Sequence, residues 1–511
     1  MGSRGFCPSV LTDAVINFFP APGFLSNPTP LQFDFPLERP QVEAKIGLLS
    51  RIDLIKLAIL LPLFCAAAPL GGVLLKGRPR LQRVVFALMC FLTLGGVMGP
   101  ANFGLTPGSI EWYRGHTKGF HFFYNQALAL ALIVAARLEG KSDFRWIPIG
   151  GGLYLLYCFL STISIFNAPN KSMVLMTLHK QLMAGLVFAA AYNFLKTEDR
   201  LKFFVRVMAA CLIWEAVVCL KWKYLNGIYQ VRGTFEHQNP LSMYCEMIGP
   251  VLLAVSMGPP FRGSNFTFLG FLAAAVIVET TMSRAGMVMF AAGTAGVMAV
   301  SLMERPTGRR LAVTAGMGLL GTIGILLTID SIIARFHDRG NKASEELREV
   351  MNHTCREMAK DHPFGVGWNN YALMVNPPFR YAEIYYAWIE GRGMRVNPEK
   401  PNAVVESHYY LLLAENGYLG LLSYLVFIGV ALWRNAKGFF FFGHSFLRWM
   451  SFGIAVGCGL NYVHSTLERV LTQPRNLMLW LILLGVTGRI ETIRRRLKQE
   501  RKLALAQTEA P

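Results

Sequence analysis

SNFTFLGFLAAAVIVETTMSRAGMVMFAAGTAGVMAVSLMERPTGRR occupies residues 264–310. It holds two apolar runs, 264–281 and 285–303, joined by a link too short to be more than a tight hairpin. Arg305, Arg309 and Arg310 follow the second run. A run of roughly 18 apolar residues with few charges is long enough to cross a bilayer core as a helix. Two such runs back to back, with a lone arginine at their turn, point to a helical membrane protein.

The same pattern extends outward. Further apolar runs lie at 53–75, 83–101, 119–136, 147–166, 178–195, 203–220, 240–257, 311–329, 409–433, 449–465 and 476–488. The chain is 53% hydrophobic and only 16% charged, well short of the quarter or so that is usual in soluble domains. Its mean hydropathy is +0.38. The expected fold is an all-α polytopic integral membrane protein with about 12–13 transmembrane helices and one long outer loop. Residues 1–52 read as an N-terminal tail, partly interfacial, and 53–329 as transmembrane helices 1–10. Residues 330–408 form the long loop, partly helical, 409–490 hold helices 11–13, and 491–511 are a basic tail.

The net charge of +19 would suggest nucleic acid in a soluble protein. Here the basic residues fall on alternate connections: Lys76 to Arg83, Arg137 to Arg145, Lys196 to Arg206, Arg262, Arg305 to Arg310, Arg434 to Arg448, and the tail from Arg489. That is the positive-inside bias, and it assigns those connections and the C-terminus to the cytoplasm. Nucleic acid is not an expected partner. Nine cysteines show no CxxC and no disulfide or zinc spacing.

The opposite face is depleted of cations, so those that remain need a reason. Arg284 lies in TMSRAG with almost no loop to hold it, and Arg232 lies in VRGTFEHQNP just ahead of a span. A guanidinium at membrane level is costly and marks a functional site by default, and its fork of donors matches phosphate oxygens. Snorkelling or helix capping is the alternative. His408 sits where the long loop becomes a span, with Glu406 or Ser407 as helix cap. Glu415 follows two turns later on the same face. A histidine there can take or hold a proton near neutral pH, or simply sit at the interface. His237, Gln238 and Asn239 suit sugar hydroxyls or capping of the next span. Arg335 and Arg339 are candidate substrate contacts, although with Arg348 they also fit a solvated helix face. Glu468, Arg469 and Arg475 read the same way. Tyr381, Tyr385, Tyr386 and Trp388 suit sugar stacking or the membrane interface. KASEELREVMNHTCREMAKD has helical spacing, and HPFGVGWNN breaks it. No paired aspartates with metal-ligand spacing appear on the outer face, so neither cofactor nor divalent metal is expected.

Four motifs stand in order: RGTFEHQNPLSMY (232–244), TMSRAG (281–286), HPFGVGWNNY (362–371) and SHYYLLLAENGYLGLL (407–422). With the long loop between them, the chain resembles the O-antigen ligase/polymerase family over roughly 200–430. That family comprises polyprenyl-diphosphate-dependent membrane glycosyltransferases. The resemblance implies a GT-C-like membrane fold. It implies Arg232 and Arg284 on the lipid diphosphate, and His408 serving an acceptor hydroxyl. Glu415 and Gly417 match the family's Glu-x-Gly, whereas Tyr409 stands where the family often has Asn.

The implied reaction moves a glycan from undecaprenyl diphosphate to a sugar hydroxyl of lipid A-core. It is inverting and metal-independent, on the periplasmic face of a bacterial inner membrane, among membrane lipids. An O-antigen or exopolysaccharide polymerase and a protein O-oligosaccharyltransferase share the donor and differ in acceptor. A lipid-linked glycan transporter is the rival from another class, although neither repeated halves nor midplane polar residues are evident.

Overall fold

The computed structural model of the chain describes residues 51–94, 104–106, 108, 110, 113–140, 143–337, 340–397 and 401–508. Residues 1–50 of the N-terminal tail reading (1–52) and Arg339 lie outside the described residues, as does the side chain of Arg335.

The described chain is a helix bundle. Its helices are α1 Arg51–Leu75, α2 Pro79–Phe91, α3 Tyr124–Leu138, α4 Gly151–Thr162, α5 Lys171–Phe194, α6 Glu198–Leu220, α7 Gln238–Met257, α8 Ser264–Thr281, α9 Arg284–Glu304 and α10 Gly308–His337. The loop beyond contributes α11 Gly340–Asp361, α12 Tyr371–Met374 and α13 Tyr381–Glu390. Then follow α14 His408–Phe441, α15 Phe446–His464 and α16 Pro474–Thr508. Among the described residues the only sheet is one two-residue pairing, Gly104–Leu105 with Phe122–Phe123. Among the described residues, seven helices are long and apolar enough to cross a membrane: α5, α6, α7, α8, α9, α14 and α16. The fold is therefore an all-α, multi-pass membrane protein.

Helix starts follow from short polar side chains that satisfy the free N–H groups of the first turn. Asn170 accepts from Ser172 and Met173 ahead of α5, Thr197 from Arg200 ahead of α6, and Ser445 from Arg448 ahead of α15.

The core is built around α7. Every residue from Pro240 to Met257 is buried, as expected for a helix that is apolar all round. It packs against α15, α8 and α9. Gly453 and Gly457 of α15 lie one turn apart and face α7; a Cβ at either would overlap the α7 backbone at Val251 or Met247. Small residues at this spacing let helices in a membrane approach closely. The approach brings the end of α15 to the inner turns of α7.

The loop between α10 and α14 is stitched to a kink in α14. Gly417 adopts φ +66°, ψ −171°, which breaks the helix after its first turns. The peptide N–H groups of Val366 and Gly367 donate to Ala414 O (2.9 Å) and Glu415 O (3.1 Å), and Tyr418 N donates to Pro363 O (3.0 Å). Gly365 (φ +86°) meets the backbone of Glu415 so closely that no Cβ fits. The motifs HPFGVGWNN and ENGYLG are thus two halves of one backbone junction.

One end of the bundle collects the starts of α7, α9, α14 and α16 and the ends of α8 and α15. The other end collects basic residues. There Arg310 donates to Met257 O (Nε, 3.1 Å) and Ser301 O (Nη1, 2.7 Å), tying α10 to the ends of α7 and α9.

Candidate functional site

The link 281–285 explains how Arg284 is held. Met282 takes a left-handed conformation (φ 52°) that ends α8, and Ser283 Oγ accepts from Gly286 N to begin α9. Arg284 is therefore the first residue of a span, half-buried. It lines a cavity of about 690 Å³ at the non-basic end of the bundle. Asn239 at the start of α7, Arg348 and Glu349 of α11, Ser407, His464 and Glu468 line it too.

Several of these were not read as site residues. Arg348 is not a solvated helix cation: its Nε lies 2.5 Å from Glu406 Oε2, and it faces the cavity. Glu468 and Arg469 are not a solvated face either. Their loop folds back over the bundle end, where Glu468 accepts from Asn239 Nδ2 at 2.5 Å. Burial, with Glu406 nearby, pushes the Glu468 carboxyl up to about 7. Burial lowers the Arg469 pKa, opposed by Glu415, Glu406 and Glu468. Arg475 turns inward and donates to Thr234 O and Leu94 O.

Arg232 lies in an exposed turn that is docked on a buried carboxylate. Glu215 of α6 accepts from Thr234 N (2.8 Å) and Thr234 Oγ1 (2.9 Å), and Val231 N donates to Thr280 O (3.2 Å). The Arg232 guanidinium stands 5.8 Å from the Trp222 ring, and its Nη1 donates to Glu236 O at 3.4 Å. His237 caps α7, its Nδ1 accepting from Asn239 N at 3.3 Å. Burial lowers the His237 pKa; Glu406 opposes this and the Arg232 charge adds to it. The charges of Arg232 and Glu406 both act on this imidazole, although Arg232 itself does not line the cavity.

His408 is placed differently. Ser407 begins α14 without a side-chain cap bond, and His408 N donates to Ser465 O at 2.9 Å. The His408 ring is 3% exposed and lies in a small closed pocket of about 10 Å³ with Glu415, His116 and Tyr424. Among the described residues neither ring nitrogen has a hydrogen-bond partner. So the structure brings together Arg284 and Asn239, with Arg232 and His237 beside them. It sets His408 and Glu415 in an adjoining pocket.

Behind His408 runs a buried polar chain that sequence reasoning missed. Lys180 Nζ lies 3.1 Å from His116 Nδ1 and also donates to Thr472 O (3.0 Å). His116 Nε2 lies 3.1 Å from Glu415 Oε2, and Glu415 Oε1 accepts from Tyr371 N at 3.2 Å. Burial holds His116 well below the usual imidazole range, and the charges of Lys180 and Arg469 add to this. A neutral ring here accepts at Nδ1 and donates at Nε2, so lysine, imidazole and carboxylate form one directional chain. Glu415 pairs with this histidine rather than with an arginine of a neighbouring helix. The available signal was Lys180 inside an apolar run, a position that points to function or pairing.

A second missed pair is Glu246 of α7 with His464 of α15, at 2.9 Å and both fully buried. Tyr385 and Tyr386 line a separate cavity of about 470 Å³ with Arg114 and Arg395.

Residues 269–425 match the family model described as O-antigen ligase. Over this segment the chain is similar to the O-antigen ligase family. The matched O-antigen ligase segment runs from α8 through Arg284 and Arg348 to His408, Glu415 and Gly417. Arg232, His237, Asn239, Glu246 and His464 lie outside it. The activity class this family brings is ligase- or polymerase-type glycosyl transfer, with a lipid-linked glycan and an acceptor as partners in general. No curated protein matches the chain.

Proposed function

We propose that this protein, which matches the O-antigen ligase family over residues 269–425, moves a glycan from undecaprenyl diphosphate to a sugar hydroxyl of lipid A-core. The reaction takes place at the periplasmic face of a bacterial inner membrane. The observation that carries this reading is Arg284, a guanidinium fixed at the start of a span and lining a cavity of about 690 Å³ with Arg348 and Asn239. The basic residues gathered at the opposite end support a cytoplasmic location for that end.

Arg284, with Arg232 from the neighbouring turn, stabilises the charge that develops on the leaving diphosphate. Such a preorganised donor is worth roughly 3–4 kcal/mol. The leaving group already carries its activation, so no nucleotide is consumed. Asn239 and His237 meet sugar hydroxyls. His408 orients the acceptor hydroxyl, its ring turning from the adjoining pocket past Ser407, and Glu415 supports it from behind. Arg335 and Arg339 are further candidates for donor contact. Attack from the face opposite the diphosphate inverts the anomeric configuration.

Arg232→Ala and His408→Ala, at equal protein level, are expected to lower glycan attachment to the acceptor by about 100-fold or more. A divalent-cation chelator is expected to leave the wild-type rate unchanged. Normal transfer in both variants and in Arg284→Ala ends the proposal. Offering purified protein a lipid A-core, a second donor glycan or a serine-containing peptide separates ligase from polymerase and from protein glycosylation. Movement of intact lipid-linked glycan across vesicles, with no new glycosidic bond, favours the transporter.

A further inference from the structure

The transfer reading leaves one imidazole of the cavity unused. His464 ends α15, is 1% exposed and lines the cavity that holds Arg284, Arg348 and Asn239. Its Nδ1 lies 2.9 and 3.0 Å from the two carboxylate oxygens of Glu246. Glu246 is itself fully buried within α7. With Glu246 ionised, its carboxylate only accepts and Nδ1 is the donor. The other nitrogen, Nε2, is buried and has no hydrogen-bond partner among the described residues.

Each half of this arrangement is costly by itself. A carboxylate inside a membrane helix is rare and retained for a reason. A buried ring nitrogen without a partner forfeits a hydrogen bond that water would have supplied. Both costs are accounted for when Nε2 meets a ligand atom in the cavity. A carboxylate on Nδ1 fixes the tautomer and aims the ring.

We propose that His464 accepts the proton of the acceptor hydroxyl during glycosyl transfer, with Glu246 as its positioning residue. This rests on the reading of the cavity as the donor-diphosphate site. In the step, the hydroxyl oxygen uses a lone pair to form the new bond to the anomeric carbon. The bond from that carbon to the diphosphate oxygen breaks, and its electron pair leaves with the polyprenyl diphosphate. The hydroxyl proton passes to His464 Nε2. The resulting imidazolium is held by the Glu246 carboxylate until it gives the proton to water. His408 orients the hydroxyl, and His464 takes its proton.

The test uses the full chain in lipid, with lipid-linked glycan and a saccharide acceptor. His464→Gln keeps a donor for Glu246 and is expected to melt like wild type. Its kcat is expected to fall by about 100-fold or more, with little change in the acceptor KM. Added imidazole is expected to restore part of the kcat lost in His464→Ala and none of that lost in Arg284→Ala. Glu246→Gln is expected to lower kcat and shift the pH–rate profile. Full activity in His464→Gln overturns the inference alone, provided Arg284→Ala is inactive. A loss in His464→Ala that imidazole does not restore, in protein that melts like wild type, also overturns it. Full activity in Arg284→Ala overturns the diphosphate reading, and the inference with it.

Discussion

Arg284→Ala lowers glycan transfer by about 10²–10³-fold at saturating donor, the expected loss for one preorganised donor at a developing oxyanion. The side chain is placed by its own backbone: a left-handed Met282, a Ser283 cap and the first turn of α9 leave it little freedom to be anywhere else. Arg348 and Arg232 do not replace it. Arg348 is engaged with Glu406 at 2.5 Å, and Arg232 stands in its own turn over Trp222. Arg284→Lys keeps the charge but loses the two-pronged fit to phosphate, so it falls between wild type and alanine. The check is the single-turnover rate of glycan attachment with labelled donor. A rate within twofold of wild type for the alanine variant would remove Arg284 from the chemistry.

Glu415→Leu is the substitution expected to harm the fold most. Glu415 is 1% exposed and closes the chain that runs from Lys180 through His116, and it also takes the peptide N–H of Tyr371. Removing it leaves those buried donors without their acceptor. Breaking a buried ionisable pair from one side costs about 3–5 kcal/mol. Glu415→Gln keeps one acceptor oxygen for either His116 or Tyr371 and fills the same space, so it is expected to cost less. Thermal unfolding in detergent reads the difference, with the leucine variant melting well below the glutamine variant. Equal midpoints would mean that the chain contributes nothing to stability.

Much of the architecture could be read from the order of residues because membrane helices are written as uninterrupted apolar runs. The tight link at 281–285 was legible for the same reason, and Arg284 stood out as a lone cation between two apolar runs of the sequence. What stayed hidden depends on contacts between distant parts of the chain. Glu246 and His464 are 218 residues apart, and His116 and Glu415 are 299. Neither spacing carries a local signature. Arg348 was masked by its own helix, whose alternating charges fit a solvated face until Glu406 is seen beside it. His408 was legible as a residue type but not as a location: seven residues of helix bring it into line with Glu415, and that face turns into a closed pocket instead of the large cavity.

The junction between Gly365 and Gly417 has a practical corollary for anyone dissecting this molecule. The segment between α10 and α14 draws acceptors for the Val366 and Gly367 N–H groups from α14, and in return supplies Pro363 O to the Tyr418 N–H of α14. Excised and expressed by itself, it would present those groups to water and lose its footing, and the truncated remainder would keep an open wound at position 417. The segment is better regarded as an inseparable lid-plate of the bundle than as a portable soluble module, and swapping it between homologous scaffolds demands that the first turns of α14 travel with it.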